Sequence, residues 1–335
     1  MDLRSLPKVD LHRHLEGAIR LQTIIDLSRE AGEPLAARTP EELAPQAQVL
    51  RPMSSLAEVL TYFRVAQEAF RDYAAVERIA FEAVEDLAND NVRLAELRFS
   101  PDFMCRPHEL EWSGAMEAIL AGIDRARNLD VTVGLIAIVS RSYGIESAER
   151  TVDFALRHRE HLVAFDLAGD EKAYPPSLYV EVIERLEGSG LKLTTHYGES
   201  GGPQFPREAI EALGSMRLGH GLSVAWDPEV TALARDRQVA LEMCPTSNLR
   251  TGGIAWMAEH PARRLLDEGV PVTIDTDNPG LFAIDLTHEL EVARDVLGFT
   301  DDDLRRVTRN ALDASFVDGS TKADVRRRHF GWVQA

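Results

Sequence analysis

The 335-residue sequence predicts an α/β fold: a (β/α)8 barrel with a helical insertion after its first strand. Three observations carry that prediction. Eight short apolar or alternating segments recur along the chain, amphipathic helical patterns lie between most of them, and polar residues gather where the segments end. Strands alternating with helices imply parallel βαβ units. Eight of them suit a closed barrel better than an open doubly wound sheet. A barrel of this length commonly forms one domain, so residues 1–335 are read as a single unit.

The first strand is Lys8–His14. Side chains alternate across a strand, so His12 and His14 share a face and can grip one metal ion together. Roughly eighty residues then pass before the second strand, far more than one crossover helix needs. The stretch of about 21–75 holds several helical patterns broken by Gly32, Pro34, Pro40, Pro45 and Pro52. It reads as a helical insertion lying over the C-terminal mouth of the barrel. Ile79, Ala80, Ala83, Val84 and Leu87 then mark one apolar side of a helix over Glu77–Leu87.

Strands follow at Leu94–Ser100, Val131–Ser140, Leu162–Ala168, Leu191–His196, Met216–Gly219, Val239–Cys244 and Pro271–Asp277. Glu149–Arg157, Leu178–Leu186, Glu229–Arg235 and Ala262–Leu266 carry helical patterns between them. Helices at Asp301–Ala314 and Lys322–Arg328 close the barrel from outside.

Composition narrows the partners. A net charge of −18 argues against nucleic-acid backbones and anionic membrane surfaces. A small uncharged ligand such as a base or nucleoside remains compatible. Two cysteines, Cys105 and Cys244, give no disulfide framework and read as buried small side chains. With neither an apolar leader nor a long uncharged apolar run, the expectation is a soluble cytoplasmic protein of unspecified oligomeric state.

In such barrels the catalytic groups gather at the C-terminal strand ends. Here those ends carry His12 and His14; Asp166 through Glu171; His196 and Glu199; His220; and Asp275 and Asp277. Three imidazoles and one carboxylate fill most of a zinc shell and leave a position for water, whose pKa the metal lowers. Proton transfer still needs an acid and a base, and Glu199 and His220 remain for it. Spacing alone does not choose between Asp275 and Asp277. Asp10 and Asp166 suit orienting roles behind the ligands as well as they suit direct participation. His108, His158, His161, His260, His288 and His329 read as solvated surface.

These residues resemble the adenosine deaminase family of metal-dependent amidohydrolases, from Pro7 to about Phe316. The resemblance rests on Pro7-Lys8-Val9-Asp10-Leu11-His12-Arg13-His14-Leu15-Glu16-Gly17, Leu97-Arg98-Phe99-Ser100-Pro101 and Asp166-Leu167-Ala168-Gly169-Asp170-Glu171. It continues in His196-Tyr197-Gly198-Glu199, Arg217-Leu218-Gly219-His220-Gly221, Cys244-Pro245-Thr246-Ser247-Asn248 and Thr276-Asp277-Asn278-Pro279.

It implies one zinc ion per chain, held by His12, His14, His196 and Asp277. It implies hydrolytic deamination of adenosine and 2′-deoxyadenosine to inosine and 2′-deoxyinosine plus ammonia, by attack of zinc-activated water at purine C6. Glu199 resembles the group that protonates N1, and His220 the group that orients and deprotonates the water. His14, Glu16, Gly169 and Asn278 resemble substrate-binding positions, Gly169 through its N–H toward purine N3.

Three departures bear on the substrate. Tyr197 replaces the usual alanine beside the metal strand. Asn278 replaces the second aspartate, and a neutral amide can donate to a ring nitrogen without first being protonated. Glu16 stands where aspartate is usual, which also resembles the adenine deaminase branch. The same chemistry on adenine, or on a 5′-modified adenosine such as methylthioadenosine or aminodeoxyfutalosine, is therefore the alternative. Ser55–Phe63 resembles the family's lid helix, with Leu56, Val59, Leu60 and Phe63 on one face, and Leu281–Leu290 also resembles the adenosine branch.

Overall fold

A computed structural model describes residues 1–54 and 56–333, without the side chains of Leu56 and Ala57. The contribution expected of Leu56 therefore lies outside the described residues. Among the described residues eight strands run parallel, each beside its sequence neighbours: β1 (Lys8–His14), β2 (Val92–Phe99), β3 (Thr132–Ser140), β4 (Ala164–Ala168), β5 (Lys192–Tyr197), β6 (Arg217–His220), β7 (Ala240–Met243) and β8 (Val272–Ile274). Asp277 closes the ring just beyond β8. Its N–H donates to His12 O at 2.7 Å, and its carbonyl accepts from His14 N at 2.8 Å.

That seam has few ladder bonds, and buried carboxylates reinforce it. Asp275 accepts from Leu11 N at 2.6 Å, and Asp10 accepts from Thr276 Oγ1 at 2.6 Å. The expected strand over Pro271–Asp277 is thus too long. It stops at Ile274, and Asp277 beyond it turns into the left-handed region at φ 62°, which a strand does not adopt.

Helices cover the barrel. The apolar side expected over Glu77–Leu87 belongs to a longer helix, Tyr73–Asn89, started by Asp72, whose side chain accepts from Ala75 N at 2.8 Å. Ile79, Ala80, Ala83, Val84 and Leu87 are all buried on it. The pattern over Leu178–Leu186 instead splits into a 3-10 turn, Pro176–Tyr179, and a short helix, Val180–Glu184. Asp301–Ala314 and Gly319–His329 pack outside β1 and β2, where Val9, Leu11 and Leu94 meet Leu312, Val325 and Phe330.

Between β1 and β2 lie the helices Leu21–Glu30, Pro40–Ala47, Leu56–Leu60 and Phe63–Gln67. The single helix expected over Ser55–Phe63 is broken at Thr61 and Tyr62, so Phe63 opens a separate helix. No described helix is long and apolar enough to cross a membrane.

Candidate active site

The C-terminal strand ends bring His12, His14, His196, His220 and Asp277 together. His14 Nε2 lies 3.1 Å from His196 Nε2 and 3.2 Å from Asp277 Oδ1, and His12 Nε2 lies 3.5 Å from that same oxygen. His220 packs against them, its ring 4.8 Å from that of His12 and 5.3 Å from that of His196. Both His220 (φ 64°) and Asp277 (φ 62°) adopt the left-handed conformation, which costs a residue with a Cβ roughly 1–2 kcal/mol. Such strain clusters where a side chain must be aimed.

Behind the imidazoles lies a buried ionic layer. His12 Nδ1 is 2.8 Å from Glu242 Oε2, and His196 Nδ1 is 3.1 Å from Asp166 Oδ1. Arg98 ties the two carboxylates together, donating to Asp166 at 2.9 Å and to Glu242 at 2.8 Å. Arg217 pairs with Glu242 and Glu96, both at 2.6 Å. Burial opposes ionisation of Glu242, but the Arg98 and Arg217 guanidiniums outweigh it and hold its carboxyl well below the usual range. Neither Arg98 nor Glu242 was singled out as a site residue from the sequence. The available signal was charge inside short, mainly apolar strands: Glu96 and Arg98 in Leu94–Phe99, and Glu242 in Ala240–Met243.

Gly219 completes the packing. A Cβ there would meet His12 Cε1 at 2.9 Å and His196 Cγ at 3.1 Å. A side chain at this position would push the two imidazoles apart.

The donor set fits a divalent ion. Ligand atoms about 2.0–2.1 Å from a common centre lie roughly 2.9–3.5 Å apart at ordinary coordination angles, as do these three pairs at 3.1, 3.2 and 3.5 Å. His12 Nε2 is buried without a hydrogen-bond partner. Burial lowers His14 and His196 well below the ordinary histidine range, leaving lone pairs for a cation. Asp277 Oδ2 accepts from Ser247 at 2.6 Å and Oδ1 from Asn278 at 2.6 Å, fixing the carboxylate. Asp275 is turned away to Leu11 and Thr273.

A cavity opens in front of this cluster. It is lined by His14, Glu16, Val59, Leu60, Phe63, Gly169, His196, Glu199, His220, Asp277 and Asn278, all singled out from the sequence. Ser100, Phe103, Ile138, Ser140, Ala168, Thr251 and Phe282 join them. Several of these also lie at or just past strand ends, the signal that could have found them. Glu199 Oε1 is buried and unpartnered, and burial raises its carboxyl above the ordinary range. Glu16 accepts from Ser100 N at 2.5 Å through Oε1, while Oε2 is unpartnered; burial pushes this carboxyl up to about 7. Gly169 sits at φ +111°, where a side chain would be strained.

One expectation is corrected. His260 is not solvated surface: it is 5% exposed and hydrogen-bonded to Asn248 at 3.0 Å. Its partners, Asn248 and the N–H of Ala262, hold the ring inside the fold. Tyr197 follows the metal strand, but its phenol turns outward and donates to Tyr174 O at 3.2 Å, with Arg141 over the ring. The strand's alternation puts it on the face opposite His196.

Comparisons with known proteins agree with this geometry. The adenosine deaminase family model matches residues 7–329. An adenosine deaminase of Shewanella loihica is 38% identical over 319 residues, covering 95% of this chain and 96% of that one. An amidohydrolase structure from Burkholderia ambifaria, with bound Zn, superposes with TM-score 0.88 at 27% identity, covering 99% of this chain and 92% of the other. An adenine deaminase of Arthrobacter aurescens shares the fold with TM-score 0.91 at 24% identity, over 99% of this chain and all of its own. Since the family model spans nearly the whole chain and its motifs converge on one cavity, the chain belongs to the adenosine deaminase family.

Proposed function

We propose that this chain hydrolytically deaminates adenosine and 2′-deoxyadenosine, releasing ammonia and the corresponding inosine nucleoside. The observation that carries the reading is the meeting of the His12/His14/His196/Asp277 cluster, Glu199 and His220 at one largely apolar cavity. His12, His14, His196 and Asp277 would hold one zinc ion. When bound, zinc lowers the pKa of water and supplies a nucleophile near neutral pH.

The remaining work falls to the chain itself. Burial raises the Glu199 carboxyl above its ordinary range and so favours its protonated form, the form that delivers a proton to purine N1 and leaves C6 electrophilic. His220, 3.8 Å from Glu199, stands on the same side and orients or deprotonates the attacking water. The main-chain N–H of Gly169 meets the ring at N3, and Asn278 contacts a ring nitrogen. Val59, Leu60 and Phe63 cover the sugar side and exclude water.

Charge separates the candidate substrates. None of the described residues lining the cavity is lysine or arginine, and Glu16 lies on its wall. A 5′-phosphate would find no cation there, and its charge would meet a carboxylate. A nucleoside fits where a nucleotide does not. The unpartnered Oε2 of Glu16 suits a hydroxyl donor such as that of a sugar.

The test compares kcat/KM for adenosine, 2′-deoxyadenosine, adenine, methylthioadenosine and AMP. Adenosine and deoxyadenosine should lead. Equal or faster turnover of adenine would overturn the nucleoside assignment, and preference for AMP would overturn the charge argument.

A further inference from the structure

We propose that His260 and Asn248 are positioning residues that set the tautomer of His220, through a hydrogen-bond relay starting at the main-chain N–H of Ala262. Each link leaves one choice. Ala262 opens the helix Ala262–Asp267, so its N–H has no carbonyl partner within that helix. That N–H lies 3.2 Å from His260 Nδ1. A main-chain N–H only donates, so Nδ1 accepts with its lone pair.

His260 is a neutral ring, because burial lowers its proton affinity to about 3, with His220 adding to the effect. A neutral imidazole carries a single proton, which then sits on Nε2. His260 Nε2 is 3.0 Å from Asn248 Oδ1, so it donates to the amide oxygen. That contact fixes which way the amide faces. Asn248 Nδ2 points to the other side, 3.0 Å from His220 Nδ1. An amide nitrogen only donates, so His220 Nδ1 accepts.

The neutral His220 ring is thereby wired with its proton on Nε2, the nitrogen 3.8 Å from Glu199 Oε2 at the cavity. This inference rests on the reading above that His220 faces the attacking oxygen. A ring wired in this way meets that oxygen as a hydrogen-bond donor. It has no free lone pair at Nε2 with which to take a proton. Of the two roles, orienting and deprotonating, the relay selects orienting.

The fold supports the relay at both ends. Asn248 sits on the short helix Pro245–Arg250, its N–H donating to Cys244 O at 2.8 Å and its carbonyl accepting from Ile254 N at 3.1 Å. His260 is buried, and both of its ring nitrogens are engaged, Nδ1 by Ala262 N and Nε2 by Asn248 Oδ1.

The test is NMR of the full zinc-loaded chain with 15N-labelled histidine, reading two-bond proton–nitrogen correlations. Signals of His220 are identified by their loss in His220→Gln. The wild type should show both His220 and His260 protonated on Nε2 with bare Nδ1. In His260→Leu the relay loses its start, and His220 should populate both tautomers. Its kcat should fall roughly tenfold while KM stays within about twofold.

In His260→Gln the side-chain amide can accept from Ala262 and donate to Asn248. It should restore one tautomer and most of kcat. A wild-type His220 protonated on Nδ1 would overturn the proposal, as would an unchanged single tautomer in His260→Leu or mixed tautomers in His260→Gln. If the leucine variant does not fold, the wild-type spectrum and the glutamine variant decide. The spectra need no turnover, so the expected tautomers in a protein inactive on adenosine would reject the substrate reading and keep the relay.

Discussion

Replacing Arg98 by methionine tests the buried ionic layer. Methionine keeps the apolar stem of the side chain but removes the guanidinium that binds Asp166 at 2.9 Å and Glu242 at 2.8 Å, all three groups being fully buried. Glu242 retains Arg217 at 2.6 Å, so the loss falls mainly on Asp166, whose other ring partner is the neutral imidazole of His196. Removing one partner of a buried ion pair costs about 3–5 kcal/mol, because the other charge stays buried. With Glu242 still paired, the lower end, about 3 kcal/mol, applies.

At a urea dependence of about 3 kcal/mol per molar for a chain of this size, the unfolding midpoint should drop by about 1 M. The same carboxylates orient His12 and His196. Zinc affinity, measured by chelator competition, should therefore fall roughly 10- to 100-fold. Arg98→Lys keeps the charge but not the forked pair of bonds, and should lie between wild type and methionine. A midpoint shift in Arg98→Met below about 0.3 M, together with unchanged zinc affinity, would refute the reasoning.

Glu199→Gln keeps shape but not the transferable proton; kcat should fall by about 10²-fold or more with zinc content unchanged, and near-wild-type turnover would refute the N1-protonation role. Gly219→Ala places a methyl between His12 and His196, where the nearest contact would be 2.9 Å; zinc retention under chelator should weaken while the circular dichroism spectrum holds. Burial pushes the Glu289 carboxyl up to about 8, so the folded state binds this proton more tightly than the unfolded chain does. The associated stability is present below the unfolded value of about 4.3 and is lost as pH rises to about 8. Glu289→Gln still accepts from Thr246 N, so it should remove that slope and gain on wild type by a few kcal/mol between pH 5 and pH 8 in urea unfolding; parallel pH profiles would contradict it.

Much of the barrel was legible because strand and helix periods are local. Ile79, Ala80, Ala83, Val84 and Leu87 declared their buried side without reference to any distant residue, and Asp301–Ala314 is a helix over the range expected. The polar strand ends likewise named part of the cavity lining, His14, His196, Glu199, His220 and Asp277 among it. Strand boundaries were less legible. Asp275–Asp277 reads as a continuation of β8, but the strand ends at Ile274 and Asp277 takes a left-handed turn beyond it.

The sequence by itself determined the fold class, the face shared by His12 and His14, and the chemistry available to a set of imidazoles and carboxylates at strand ends. Tertiary structure decided what depends on closure of the ring. Asp277 enters the cavity while Asp275 fastens the seam to Leu11. Arg98 joins the acceptors behind His12 and His196, and His260, polar in its local sequence, becomes a buried link to His220 through Asn248. The physical reason is range. Periodicity records which way a side chain leaves its own strand or helix, whereas a hydrogen bond such as His12 to Glu242 joins residues 230 positions apart and exists only once the eighth strand meets the first.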